Sequence, residues 1–509
     1  MDQKRRLEIV RQAYGYQPPY NQYGDQHWCK DDELGSHLKP IGVALGQTFS
    51  GKTIYSGLTS PHVTSIGSTA QFKTSSLISA IVDDSLRDSS LNITSDVAGE
   101  LADTTARWRR GCGDNHFIDP YEISTRYVRG YGKPGMRNCL DLDFLNPLSP
   151  YFSSRAALIS SLNISLGSGR DRYWYQASRQ AGQGVIMAER KFGNPRTCNL
   201  PAIAKILTGD LPHYAKWMLP RVQSDPQIFN MLLRWAIAGQ GTNSEIRSIA
   251  EVQQTLATEL GWLLDPAFAK VLSSSNFSFR KGKHAVQTTY TILPNSVLGR
   301  ATGAEKLFKL FNGISMAECM RFEGTKWMHQ LADEAFIVEI EDLAEQIASV
   351  RKYRIGLWTL WQDYSGELCS RYPETHSTVM INSGCIQALS AKGADADHFS
   401  NELGDVEILQ FTKTVNGGQQ FNVAPFSGND PDFELTRIPE PEELQKLQVT
   451  QNYSQAKRKF MLPQELKVLD GSLQILWFHD VIAPVLCKKI PYFKTMARYR
   501  VQPNPVHRG

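Results

Sequence analysis

Two strings near the amino terminus carry the residue types that hold a polyphosphate. Gly46-Gln47-Thr48-Phe49-Ser50-Gly51-Lys52-Thr53 fits G-x-x-x-x-G-K-[ST] at every position. In such a loop backbone N–H groups curl round the β-phosphate, and the lysine opens a helix whose positive end faces the anion. After Thr53 the chain runs Ile54-Tyr55-Ser56-Gly57-Leu58-Thr59-Ser60-Pro61, which breaks a helix within a turn. A β-hairpin turned by glycine and serine is the competing reading. The second string is Gly67-Ser68-Thr69-Ala70-Gln71-Phe72-Lys73-Thr74, with Phe72 where the pattern has its second glycine. It lies between a strand pattern and an amphipathic helix, as the mechanism requires. There Lys73 would reach the β- and γ-phosphates and Thr74 would ligand Mg²⁺. If position 72 needs a left-handed backbone, its Cβ costs ~1–3 kcal/mol. The alternative is an ordinary βα turn that has lost its ligand.

Far downstream, Asp333-Glu334 closes a strand-like segment at 327–332. An acidic pair at the carboxyl end of a sheet strand holds Mg²⁺ and polarises an attacking water. Asp333 would serve the cation and Glu334 the water. Gln362 ends the apolar run 355–361, where it would sense the γ-phosphate or orient that water. Arg351, on the helix between them, is either a surface charge or a finger reaching a neighbour's nucleotide. The bland readings are a solvated acidic pair and a polar strand end.

These groups need a scaffold. Strands are expected at 41–45, 62–66, 91–94, 116–118, 355–361 and 378–381, with a last one through Leu473, Ile475 and Trp477 before a basic tail. Leu77, Ile78, Ile81, Val82 and Leu86 form one stripe of a helix over 75–86, and Ile340 to Val350 form another. Residues 104–110 also read as helix. Strands alternating with helices imply an α/β fold with a parallel sheet covered on both faces. From 151 to 300 the pattern turns helical: Ile228, Met231, Leu232 and Trp235 share one face, as do Ile246, Ile249, Val252, Leu256 and Leu260. The expected organisation is an arm over 1–40, nucleotide-binding segments at 41–150 and 301–509, and an all-α insertion at 151–300. Residues 415–441 read as a long loop.

At 509 residues the chain exceeds one small domain. Hydrophobic residues at 41% and charged ones at 21% exclude a mainly disordered or coiled-coil chain. The formal charge of +4 excludes binding driven by overall charge alone. Eight cysteines without a CxxC pair or zinc spacing read as reduced thiols. The charged start lacks a signal peptide's apolar core, and no apolar run reaches the ~18 residues of a membrane span.

Taken in order, these motifs resemble the type IV secretion coupling proteins, the TraG/TraD-like ATPases of conjugative DNA transfer. The family loop G-x-T-G-S-G-K-[GST] lies over residues 67–74. D-x-K-G-E is similar to Asp96-Val97-Ala98-Gly99-Glu100, and Asp119-Pro120, Asn146-Pro147-Leu148 and Arg172-Tyr173-Trp174 follow in family-like positions. Asp333-Glu334, Arg351-x-Tyr353-x-Ile355, Gln362-Asp363, Leu403-Gly404 and Leu462-Pro463-x-Glu465 resemble the second half. The resemblance covers about 28–493. Phe72 and Ala98 depart from it, and so does the lack of the family's membrane-spanning amino terminus.

The resemblance implies a RecA-like P-loop NTPase motor with an inserted all-α domain, ATP and Mg²⁺ as cofactors, and a homo-hexameric ring at the secretion channel. Residues 67–74 and Asp333 would bind nucleotide, with Thr74 and Asp333 on the metal. Glu334, Gln362 and a trans Arg351 would be catalytic. Relaxase with single-stranded DNA, or protein effectors, would be substrates, and channel components would be partners. The chain would be cytoplasmic and peripheral at the inner membrane, held there by a separate anchoring partner. Basic segments at 107–110, 126–137, 457–459 and 488–500 would face DNA, or simply water. A degenerate, non-hydrolysing platform is the alternative, and an unrelated DNA-packaging motor a third.

Overall fold

Every residue of the strand Val63–Ile66 is buried, as a strand covered on both faces requires. The computed structural model describes residues 26–166, 171–238, 243–298, 303–416 and 448–504. In chain order its strands begin with β1 (Ala44–Gln47), β2 (Thr53–Tyr55), β3 (Val63–Ile66), β4 (Ser90–Val97), β5 (Asp114–Ile118), β6 (Lys133–Pro134) and β7 (Gln287–Leu293). They continue with β8 (Met328–Ala332), β9 (Ile355–Trp361), β10 (Cys385–Ala388), β11 (Asp405–Asn416), β12 (Gln448–Lys459), β13 (Leu473–Phe478) and β14 (Val485–Lys488).

Among the described residues twelve strands form one sheet in the order β2-β1-β14-β13-β10-β3-β9-β8-β4-β7-β5-β6. From β10 to β6 all neighbours are parallel, and from β10 to β2 all are antiparallel. Helices Lys73–Ile81 and Glu100–Arg110 pack on the sheet through Leu77, Ile78, Ile81, Leu101, Ala102 and Ala106, all buried.

The strand β8, Met-His-Gln-Leu-Ala, is polar for its place yet buried throughout. Its Gln330 is satisfied sideways: Asn92 of β4 donates to Gln330 Oε1 at 2.9 Å, and Gln330 Nε2 donates to Ser315 Oγ at 2.6 Å. Paired in this way, buried amides avoid the cost of desolvation.

Between β6 and β7 the chain is helical, with helices Phe152–Asn163, Arg172–Phe192, Leu200–Thr208, Leu211–Met218, Pro226–Ala238, Asn243–Leu260 and Pro266–Leu272. Asn199, Asp210 and Asp265 each cap one of them by accepting from a backbone N–H, with proline in the first turn. Ile228, Leu232 and Trp235 are buried, as are Val252, Leu256 and Leu260. The helical stretch ends earlier than residue 300, because β7 enters the sheet between β4 and β5. Sheet and helices belong to one compact unit, Cys29–Ser390 with Asp470–Gly509.

The second unit is Met1–Trp28 with Ala391–Leu469, which cuts across the expected segment 301–509. It contains helix Ala394–Glu402, the hairpin of β11 and β12, and helix Pro463–Lys467. Ser400 Oγ donates to Met461 O at 2.6 Å, and the Trp28 and Phe460 rings lie 4.8 Å apart. Of the expected loop at 415–441, Val415 and Asn416 are strand, and 417–441 lie outside the described residues. Of the expected arm, 1–25 lie outside as well.

Two expectations are corrected. Residues 378–381 are not strand but part of helix His376–Asn382, which buries Val379 and Met380 and leaves Ile381 68% exposed. Four residues are too few to distinguish the two periods. The basic tail after β13 begins with a further strand, β14, antiparallel to β13. Among the described residues no helix is long and apolar enough to cross a membrane.

Candidate active site

The two glycine strings end in different structures. In residues 46–53 the backbone is spent on a hairpin between β1 and β2, with Thr48 N–H donating to Lys52 O at 2.9 Å and Gly51 N–H to Thr48 O at 3.1 Å. Lys52 lies on the surface, its Nζ 3.4 Å from Asp31. Residues 67–74 instead join β3 to helix Lys73–Ile81. Gly67 N–H donates to Trp361 O at 3.0 Å, and a Cβ at Gly67 would lie 2.7 Å from the Leu389 Cβ. Ser68 N–H and Oγ both meet Ser390 Oγ, at 3.0 and 3.1 Å.

Phe72 precedes the helix and no side chain caps it. The N–H groups of Lys73, Thr74 and Ser75 therefore have no intrahelical acceptor, the arrangement that suits an anion. Phe72 has φ 64° and Ala70 φ 63°. Both sit where the resembled loop has glycine, so two left-handed positions keep that backbone shape with a Cβ attached. Ala70 carries no sequence signal of its own, because alanine is small and the left-handed demand is a backbone property.

Asp333 comes to this loop from the end of β8. Thr74 Oγ1 donates to Asp333 Oδ2 at 3.1 Å, with Oδ1 at 3.5 Å. The Asp333 carboxyl is pushed up to about 7 by burial and then by Glu334, against the Thr74 hydrogen bond and the Lys73 ammonium. Glu334 is half-buried, and its N–H donates to Ser95 Oγ at 3.1 Å. Gln362 stands exposed at the end of β9, and its N–H donates to Glu367 Oε2 at 2.7 Å.

Glu367 was not singled out from the sequence, yet burial and Glu334 raise its carboxyl while Lys73 draws it down. Lys73, Asp333, Glu334 and Glu367 thus share one electrostatic cleft at the carboxyl ends of β3, β8 and β9. The one available sequence signal was Asp363, whose carboxylate accepts from Glu367 N–H at 2.9 Å and fixes the turn.

Asp96 lies near the carboxyl end of β4, within electrostatic reach of Asp333. It accepts from Leu101 N–H at 2.9 Å and Ala102 N–H at 2.8 Å, holding the start of helix Glu100–Arg110. Burial, together with Asp333 and Glu100, raises its carboxyl well above the ordinary range. Ala98 has φ 63° and bears no amine. Asn504 Nδ2 donates to Glu100 Oε1 at 2.6 Å.

Arg351 is not brought to the cleft of its own chain. It lies before the amino end of β9, is exposed, and donates to Thr59 O. Because β3 and β9 are parallel, it stands at the opposite ends of the strands from the loop.

Several basic candidates already have partners, some buried in the fold and others in ion pairs at its surface. Arg109 is buried and donates to Thr288 Oγ1, Leu86 O and Ser89 O at 2.9, 2.8 and 2.6 Å. Arg137 is buried between Glu318 and Asp141. Lys457 and Lys459 pair with Asp405, and Arg458 with Glu465. Lys489 is buried, and Arg500 pairs with Asp84 at 2.6 Å.

A hydroxyl and a carboxylate make a hard oxygen pair suited to a hard divalent cation. Among the described residues no group of three or more His, Cys, Asp or Glu side chains is placed to hold a metal. Thr74 and Asp333 thus offer part of a shell, as for Mg²⁺ that keeps water and phosphate oxygens.

The family described as type IV secretory system conjugative DNA transfer matches residues 26–507. The chain belongs to that family. Its fold is shared with the bacterial conjugative coupling protein TrwB lacking its first 70 residues, in a trigonal form with sulphate (TM-score 0.62, 13% identity, 93% of this chain and 95% of that one). TrwB with the ATP analogue ADPNP is similar at TM-score 0.62 and 14% identity, over 96% of this chain and 98% of that one. TrwB with ADP and Mg²⁺ matches at TM-score 0.61 and 13% identity, over 93% and 96%. No curated protein sequence matches this chain. The chain is thus a member of the conjugative DNA transfer family with the fold of TrwB, a large mixed sheet with helices and an all-α region.

Proposed function

We propose that this coupling protein binds ATP with Mg²⁺ at residues 67–74 and hydrolyses it to drive relaxase-bound DNA, or a protein effector, into a type IV secretion channel. The single observation that carries the reading is the Thr74 hydroxyl on the Asp333 carboxylate at 3.1 Å, next to Lys73. TrwB, with which it shares a fold, has been obtained with an ATP analogue and with ADP and Mg²⁺.

In this reading the N–H groups of Lys73 to Ser75 and the Lys73 ammonium hold the phosphates, and Thr74 and Asp333 hold the cation. The cation offsets phosphate charge and steadies the transferring group. Glu334 takes the proton of the attacking water, and Gln362, tied to Glu367, orients that water. Arg351 faces away from its own cleft, and serves the nucleotide of a neighbour in a homo-hexameric ring. The ring would work on the cytoplasmic side of the inner membrane with channel components and a separate anchoring partner. ATP turnover of the wild type and of Lys73→Ala, with and without single-stranded DNA, tests the reading. Equal rates in the two proteins would remove Lys73 from the mechanism.

Phe72, Ala70 and Ala98 favour a second reading, in which the protein is a receptor or platform without turnover. Calorimetry separates the two: no ATP binding at millimolar concentration favours the platform.

A further inference from the structure

Beside the loop an aromatic ring is left open. Phe493 is 41% exposed. Its ring meets that of Phe72 edge-on at 5.8 Å, and Phe72 is the residue immediately before Lys73. Two ammonium groups flank the pair, with Lys494 Nζ 5.6 Å and Lys489 Nζ 5.8 Å from the Phe72 centroid. The cluster is anchored. Lys489 is buried and donates to Gln71 Oε1 at 3.2 Å and Gly471 O at 2.9 Å. Phe493 sits in the single turn Tyr492–Lys494 and packs edge-on against Tyr492, which is 8% exposed.

We propose that Phe493, with Lys494 beside it, is the face on which the base of the bound nucleotide stacks. The inference rests on the proposed phosphate site at Lys73 and extends it to the other end of the ligand. Phosphates held by the first turn of helix Lys73–Ile81 lie next to Phe72, so a base one nucleoside further on meets the Phe493 ring. An exposed ring with an ammonium at its side favours any base through its π-face. The oxygen of the neighbouring amide, Gln71, is already engaged by Lys489, and lysines cannot accept from a base edge. The ligand class is therefore a nucleoside triphosphate taken without selection by its base, with ATP and GTP bound about equally.

Exposed aromatic and cationic side chains also take bases of single-stranded DNA, so the test includes both sources. Dissociation constants of the full chain are measured by calorimetry with Mg²⁺ for ATP, GTP, inorganic triphosphate and an oligothymidylate. Phe493→Ala is expected to weaken ATP and GTP by about tenfold while leaving inorganic triphosphate unchanged, and Phe493→Trp to restore both nucleotides. Equal losses for triphosphate and nucleotides, or no loss at all, overturn the proposal. So does weaker oligothymidylate binding with ATP unchanged, which gives the ring to DNA. A wild type that binds triphosphate as tightly as ATP defeats the base platform alone. A wild type that binds neither defeats the Lys73 site and the platform with it.

Discussion

Residues 46–53 satisfy the phosphate-loop pattern letter for letter and fold into a hairpin, whereas residues 67–74 lack its second glycine and join a buried strand to a helix. What separates them is the destination of the backbone N–H groups. The first string turns them inward, Thr48 to Lys52 and Gly51 to Thr48, and its lysine meets Asp31 in water. The second leaves the first-turn N–H groups of a helix free to face an anion, with Asp333 delivered from 259 residues away. A motif is thus a statement about context: the strand before it and the helix after it weigh more than a glycine at either kink.

The comparison breaks most decisively on the two lysines. Lys73→Ala is expected to weaken ATP binding by at least about 100-fold. Lys52→Ala, which removes only an exposed pair, should change it by less than about twofold. Titrations of both variants decide, and a larger loss for Lys52→Ala would reverse the assignment.

Smaller effects sharpen it. Gly67→Ala drives a methyl against Leu389 and should cost ~1–3 kcal/mol in urea unfolding. Gly51→Ala has φ 93° but open space around it, and should cost only ~1–2 kcal/mol. Ala70→Gly relieves a left-handed Cβ on an exposed residue, and is expected to stabilise by at most ~1 kcal/mol.

The smallest contrast is one of sign with pH. The Asp333 carboxyl is raised to about 7, so without cation the folded chain holds a proton that the unfolded chain has released, and stability falls as pH rises from about 4 to 7. Asp31 is lowered, first by Ser50 and then by Lys52, so its small contribution is present at neutral pH and lost as pH falls below its ordinary value. Thermal melts should therefore find Asp333→Asn stabilising at pH 8 and nearly neutral at pH 4. Asp31→Asn should be slightly destabilising at pH 8 and neutral at pH 3.

Much of the scaffold was legible because its central strands are runs of apolar or β-branched residues between turns. Ile355–Trp361 is the observed β9 residue for residue, and Leu77, Ile78 and Ile81 are buried in the helix that their spacing implied. β8 was harder to read, since Gln330 and His329 look like surface residues until Asn92 and Ser315 are known to lie beside Gln330. Short segments failed for lack of length, as at 378–381. The cleft itself was readable in Lys73, Thr74 and Asp333 but not in Glu367, whose place depends on a turn set by Asp363. Charge was the least legible. Arg109 and Arg137 look like parts of basic surface strips, and only the fold shows their guanidinium groups spent on buried acceptors.

The position of β3 in the sheet also bears on how the chain is made. Its two neighbours are β9 and β10, and the buried contact of Ser65 with Gln387 spans 322 residues. At ribosomal speeds of ~5–20 residues per second that interval is roughly 15 to 60 seconds. Until β9 is made, the nascent polypeptide displays its lysine loop without either strand that flanks β3. A fragment released before Ile355 would carry that whole segment and none of the strands that flank β3.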